Sequence, residues 1–155
     1  MKLLKTTTLQ RALPWILIIC GTIGLVAAFI IMVEKVHLLQ DPSFQPDCNL
    51  NPVISCGSVM ESKQSNAFGF PNPIIGLMAF PIVIMTGVLM RSGLTFKRWY
   101  MLGLQFGTIF GLAFVHWLFF QSTYRINALC PYCIAVWIVT ITSFWYVLLY
   151  NLREK

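Results

Sequence analysis

Four of the five cysteines in this 155-residue chain stand in a pattern that suits thiol–disulfide chemistry. Cys130 and Cys133 form Cys-Pro-Tyr-Cys, and Cys48 and Cys56 are separated by seven residues in Asp47-Cys48-Asn49-Leu50-Asn51-Pro52-Val53-Ile54-Ser55-Cys56. The two-residue spacing closes a short, reactive disulfide, whereas a static brace would join distant segments. Pro131 suits the first position of a helix, which would make Cys130 the N-cap and place Cys133 one turn in. Unpaired backbone N–H groups and the positive end of the helix dipole there favour a thiolate. The thiolate is the form that attacks a disulfide and leaves from one. Zinc is the competing use of four thiols, but structural zinc sites favour two close pairs and one pair here is wide, so no metal is expected. A thioredoxin-like fold would need a βαβ context around its Cys-x-x-C, and none is present. Cys20, inside an apolar run, reads as a small packing residue.

The elements that must hold these thiols are membrane helices. The chain is 57% hydrophobic and 10% charged, against roughly 25% charged in a soluble domain. Uncharged windows at residues 12–33, 64–90, 99–124 and 126–152 each accommodate one crossing of about 20 residues, and no polar face recurs at helical spacing. The expectation is an all-α integral membrane protein: a four-transmembrane-helix bundle in a single membrane domain. Its spans fall near residues 13–35, 73–91, 98–121 and 129–151, with a long extracytoplasmic loop, residues 36–72, between the first and second. The N-terminus resembles a signal peptide, but its apolar run exceeds the roughly 7–15 residues of one. Bulky Ile18 and Ile19 before Cys20 disfavour a lipoprotein site, so the segment is read as a retained first helix. Pro81 predicts a kink in the second span, and Trp15, Trp99, Trp117 and Tyr146 or Tyr150 suit an aromatic belt.

Charge sets the orientation. Of the eleven Lys and Arg, Lys2, Lys5, Arg11, Arg91, Lys97, Arg98, Arg153 and Lys155 fall on one side, while Lys35, Lys63 and Arg125 fall on the other. The acids Glu34, Asp41, Asp47 and Glu61 join the second group. The positive-inside bias puts both termini in the cytoplasm, as an even number of spans requires. The net charge of +6 is therefore a topology signal and implies no nucleic-acid partner. All four patterned cysteines then reach the oxidising face, where disulfides persist. Electrons leaving thiols at a membrane face need a lipid-soluble two-electron acceptor. A quinone between helices, against Phe80, Phe114 and Trp137, fits that need. His116, polar at membrane depth, is a candidate either for function or for an interhelical hydrogen bond.

In cysteine order, span number and motifs, residues 14–149 resemble the vitamin K epoxide reductase family, in its short bacterial form without a fused thioredoxin domain. The motifs are the spaced pair Cys48 and Cys56, then Ser62 six residues later, Asn72 at the start of span two, and Cys130-x-x-Cys133 at the start of span four. The resemblance implies a relay of two electrons from protein thiols to a membrane quinone, menaquinone or ubiquinone. It makes Cys48 and Cys56 the shuttle pair that meets a thioredoxin-like extracytoplasmic disulfide oxidant, with Cys56 exchanging with Cys130. Cys133 becomes the cysteine that reduces the quinone. Asn72 becomes a donor to a quinone oxygen, Phe68 a cover for the pocket, and Ser62 an organiser of the same loop. Trp137 stands where vertebrate members carry Tyr; an indole N–H donates but does not accept. The implied location is a bacterial inner membrane, with the active site extracytoplasmic.

Three other readings use the same residues. Reduction of vitamin K or its epoxide would run through the same cysteines on a different substrate. A second class of bacterial quinone-linked disulfide generator also has four spans, but its Cys-x-x-C lies in the first outer loop, the reverse of the order here. A non-enzymatic tetraspan would use its disulfides only as braces, and Cys130→Ser would then cost stability rather than turnover.

Overall fold

The computed structural model describes residues 8–41, 43–46, 48, 49, 51 and 53–153. Lys2, Lys5, Asp47 and Lys155 of the charge pattern, and Leu50 and Pro52 of the cysteine loop, lie outside the described residues. Helix α1 spans Thr8–Gln40, α2 Cys56–Glu61, α3 Pro73–Arg91, α4 Arg98–Gln121 and α5 Pro131–Arg153, with a 3-10 turn at Lys63–Asn66 and a π turn at Ser122–Ile126. Four helices, α1, α3, α4 with its π turn, and α5, are long and apolar enough to cross a membrane. Their outward residues are what lipid requires: Phe29, Met78 and Phe106 are all more than half exposed, an exposure of apolar surface that water would penalise.

Three apolar clusters give the bundle its antiparallel order. At one end Leu13 and Leu17 of α1, Val83 of α3, Met101 of α4 and Val147 of α5 pack together. In the middle Cys20 and Ala28 meet Phe80 and Val139. At the other end Ile31 of α1 joins Cys48, Cys56, Met60 and Cys130. Both described termini and the α3–α4 turn therefore lie at one end, and the patterned cysteines lie at the other. α1 is the central element, packed on α3 and α5, while α4 packs on α5.

The α1–α3 contact is close because glycine permits it. A Cβ on Gly87 would lie 2.7 Å from the Pro14 carbonyl oxygen, and one on Gly24 would strike the Phe80 ring. Small residues allow such backbone approach where lipid supplies no hydrophobic drive between helices. α3 ends as its sequence dictates: Gly93 takes φ 91°, its N–H donates to Met90 and that of Leu94 to Leu89, which closes the last carbonyls in a Schellman turn. The turn is tied back to α1 by Arg91, whose guanidinium carbon lies 5.4 Å from the centre of the Trp15 ring.

α1 continues beyond the crossing expected at residues 13–35. Glu34 and Lys35, grouped with the outer charges although they close that expected crossing, are on this helix and buried. The physical reason is that charge ends a hydropathy window but not a helix. Residues 34–40 are mostly good helix formers, and Leu38 among them packs on the cysteine cluster. α3 runs through Pro81 as one helix. Residues 41–72 connect α1 to α3 and contain α2 and the 3-10 turn.

Candidate redox site

A single backbone bridge brings the two cysteine motifs together. Ile54 and Leu129 pair in parallel; the Leu129 N–H donates to Val53 at 2.8 Å and the Ser55 N–H donates to Leu129 at 3.1 Å. Cys130 follows Leu129 directly and Cys56 follows Ser55, whose N–H makes the second of these bonds, so the bridge brings the two cysteines together. Asparagines shape the approach. Asn51 Oδ1 accepts from the Val53 and Ile54 N–H groups, and Asn49 Oδ1 accepts from the Gly57 N–H and the Ser55 hydroxyl. Such side-chain turns are why Asn suits these positions. On the other segment the π turn closes through Asn127 at φ 55°, a left-handed conformation that Asn tolerates.

Cys48 and Cys56 form a disulfide with Cα atoms 5.7 Å apart. Cys56 Sγ lies 2.9 Å from Cys130 Sγ, and the sulfurs of residues 48, 56 and 130 all lie within 4.8 Å of one another. Cys130 and Cys133 are free thiols. The arrangement can exchange a disulfide bond between neighbours by shifting only sulfur positions. It is also secluded: Cys48, Cys56 and Cys130 are 6%, 0% and 2% exposed.

Cys130 precedes the first helical residue, Pro131, and its carbonyl accepts the Ile134 N–H at 3.1 Å, as an N-cap residue does. Its thiol is held below the ordinary thiol range. The main cause is a hydrogen bond from the Cys133 side chain, with further donation from the Cys133 and Tyr132 backbone N–H groups. Burial and the nearby Glu34 carboxylate act in the opposite sense. Hydrogen bonds to the charged form favour it, so of the Cys130–Cys133 pair Cys130 is the thiol whose charged form these contacts stabilise.

Cys133, one turn into α5, opens onto a cavity of about 540 Å³ between the helices. Phe80, Phe114, Trp137, Asn72 and Ser62 line it as well. The buried Trp137 indole N–H has no partner among the described residues; its ring stacks on Phe119 at 4.9 Å. Asn72 is occupied with its own loop: Oδ1 accepts from the Ala67 N–H at 3.1 Å, and Nδ2 donates to the Gln64 carbonyl at 2.7 Å. That leaves one amide hydrogen. The Ser62 hydroxyl donates to the Val59 carbonyl at the junction of α2 and the 3-10 turn. Phe68 is not part of the lining; it is half exposed and packs 5.5 Å from Phe114, which is. His116 donates through Nδ1 to Leu112 of its own helix and meets the Trp137 ring edge-on at 5.5 Å.

Two residues at the site were not among those singled out from sequence. Glu34 Oε2 lies 3.5 Å from Cys48 Sγ. The Lys35 ammonium donates to the Met60 carbonyl and to Ser65 Oγ, tying α1 to the loop that covers the cavity. Adjacent ionisable residues at the end of an apolar run were the available signal. The family model described as vitamin K epoxide reductase family matches residues 15–148. No curated protein matches the chain.

Proposed function

The chain belongs to the vitamin K epoxide reductase family, membrane thiol–disulfide oxidoreductases that work with a quinone or vitamin K; from that premise we propose that it reoxidises a thioredoxin-like disulfide catalyst and passes two electrons to a quinone. The observation that carries this reading is the 2.9 Å approach of Cys56 Sγ to Cys130 Sγ. A brace would have no use for a third sulfur beside a closed disulfide.

In this reading the partner's dithiol reduces Cys48–Cys56. The Cys56 thiolate attacks Cys130 of an oxidised Cys130–Cys133 pair, and Cys133 leaves with the electron pair. Cys48 then attacks Cys56, re-forming Cys48–Cys56 and releasing Cys130. Thiols at 130 and 133 beside a closed Cys48–Cys56 disulfide correspond to the state reached after this transfer. Because Cys48 is buried, exchange with a folded partner requires the segment between α1 and α2 to turn that sulfur outward.

The cavity residues fit a quinone. A volume of about 540 Å³ is within the usual range for small-ligand pockets, and the aromatic lining suits a flat ring. The unpartnered Trp137 N–H is a donor available for a carbonyl oxygen, and Asn72 retains one amide hydrogen. A quinone bound there accepts two electrons and two protons. Cys133 sits at the cavity wall to deliver the electrons, Cys130 closes the disulfide behind it, and the apolar walls exclude water. Arg11, Arg91, Lys97, Arg98 and Arg153 gather at the end away from the cysteines. This supports termini in the cytoplasm of a bacterial inner membrane and an extracytoplasmic redox site.

The test is quinone reduction by the purified protein with a reduced thioredoxin-like donor. The wild type is expected to consume quinone and donor thiols in step, and Cys133→Ala to abolish quinone consumption while still exchanging thiols with the donor. Quinone reduction unaffected by Cys133→Ala would refute the reading.

A further inference from the structure

The exchange described above moves protons as well as electrons, and the cysteines alone do not account for them. When Cys48 attacks Cys56 in a Cys56–Cys130 mixed disulfide, Cys48 must first lose its proton. The broken Cys56–Cys130 bond leaves its electron pair on Cys130, whose thiolate is stabilised by the Cys133 side chain and by two backbone N–H groups. Cys48 is not at a helix N-terminus, so it lacks the run of free backbone N–H groups that one supplies. What lies against it is a carboxyl group.

Glu34, near the end of α1, is 8% exposed and places Oε2 3.5 Å from Cys48 Sγ. We propose that Glu34 is the base that takes the Cys48 proton when the Cys48–Cys56 disulfide closes, and the acid that returns it when that disulfide opens. The inference rests on the relay proposed above and adds its proton path. In closing, the Cys48 S–H proton passes to Glu34 Oε2, the Cys48–Cys56 bond forms, the Cys56–Cys130 bond breaks, and Cys130 keeps the electron pair. Opening by attack of Cys130 on Cys56 reverses each transfer, with the proton going from Glu34 to the departing Cys48 sulfur.

The groups around Glu34 fit the assignment. Cys48 faces it from the connecting segment, and Cys130 faces it from the turn before α5, close enough for the carboxylate to oppose thiolate formation there. On α1 itself, Lys35 directs its ammonium to Met60 and Ser65, within electrostatic reach of Glu61. A charged Glu34 thus disfavours the Cys130 thiolate, and transfer of its proton is coupled to which sulfur carries the negative charge.

The test uses the full chain in detergent, with dithiothreitol as donor and a short-chain benzoquinone as acceptor, quenched in acid and alkylated for mass analysis. In Glu34→Gln, turnover near neutral pH is expected to fall at least about tenfold, the modest end of general acid–base effects, with the Cys56–Cys130 mixed disulfide accumulating. The defect should shrink as pH rises past about 8.5, where an ordinary thiol ionises unaided. Glu34→Asp should keep the wild-type pH profile at a lower rate. Wild-type turnover in Glu34→Gln without mixed disulfide, or a defect of constant size at every pH, would overturn the assignment. If Glu34→Gln does not fold, Glu34→Asp decides: a wild-type profile supports the base, and a rate that climbs with pH like an unassisted thiol overturns it. A wild type that reduces no quinone would instead defeat the proposed function.

Discussion

Cys56 and Cys130 are 74 residues apart in sequence and 2.9 Å apart at sulfur. That contact joins the wide cysteine pair to the Cys-x-x-C pair, and it depends on the Ile54–Leu129 bridge that precedes both residues. A bridge of two hydrogen bonds is a small structure to align a reaction, so the flanking asparagine turns and the π turn share the work.

The lowered Cys130 thiol has a measurable consequence. With Cys48–Cys56 oxidised, the ultraviolet thiolate signal lost in Cys130→Ala should titrate below the ordinary thiol value of about 8.5. Cys133→Ala removes the largest contribution and should move the midpoint upward. The sign for stability follows: between the lowered folded value and about 8.5 the folded protein holds a thiolate and the unfolded chain a thiol. Stability from this group is therefore full above the unfolded value and is lost as pH falls through the folded one. Thermal unfolding of wild type against Cys130→Ala across that window checks it.

Trp137→Phe separates quinone binding from packing. The buried indole N–H is unpartnered among the described residues, and such a donor costs about 1–3 kcal/mol. Removing it should leave the unfolding temperature of the quinone-free protein unchanged or higher. If the donor meets a quinone oxygen, the KM for quinone should rise about tenfold, the equivalent of about 1.4 kcal/mol. An unchanged KM would place the quinone elsewhere in the cavity.

Asn72 serves its loop through two hydrogen bonds. Asn72→Ala should destabilise the protein by about 1–3 kcal/mol, since a backbone N–H and a carbonyl lose their partner. Asn72→Asp keeps the acceptor for Ala67 and removes the donors. It should recover part of the stability while the KM for quinone stays raised, read from thermal unfolding and quinone-reduction kinetics on the same preparations.

Helix packing offers a paired comparison. Gly87→Ala forces a methyl to within 2.7 Å of the Pro14 carbonyl oxygen and 2.9 Å of Ile18, so overpacking should cost about 1–3 kcal/mol. Gly103→Ala meets nothing within 4 Å and should be neutral or mildly stabilising, because alanine is the better helix former. Equal effects in thermal unfolding would contradict the packing described for α1 and α3.

Much of the architecture was legible in the sequence, because lipid imposes long uncharged runs and those runs are the four long helices. The Cys-x-x-C motif was legible through Pro131, which marks where α5 begins. The bridge was not: Ile54 and Leu129 carry no local pattern that identifies each other as partners. The run of α1 on to Gln40, and the burial of Glu34 and Lys35 on it, were not legible either, because charge ends a hydropathy window but does not end a helix. The hydrogen bonds of Asn72 to Gln64 and Ala67, and the place of Phe68 outside the cavity lining, depend on how residues 62–72 fold back. No periodicity in that stretch encodes it.

The central claim is that a disulfide can pass directly between residues 56 and 130. The most direct measurement is the mass, after alkylation without reduction, of Cys48→Ala, Cys133→Ala protein oxidised in membranes. The account predicts that Cys56 and Cys130 are recovered joined to each other within one chain, with Cys20 alone alkylated. Recovery of both as separately alkylated thiols, under conditions that oxidise the wild type, would contradict it.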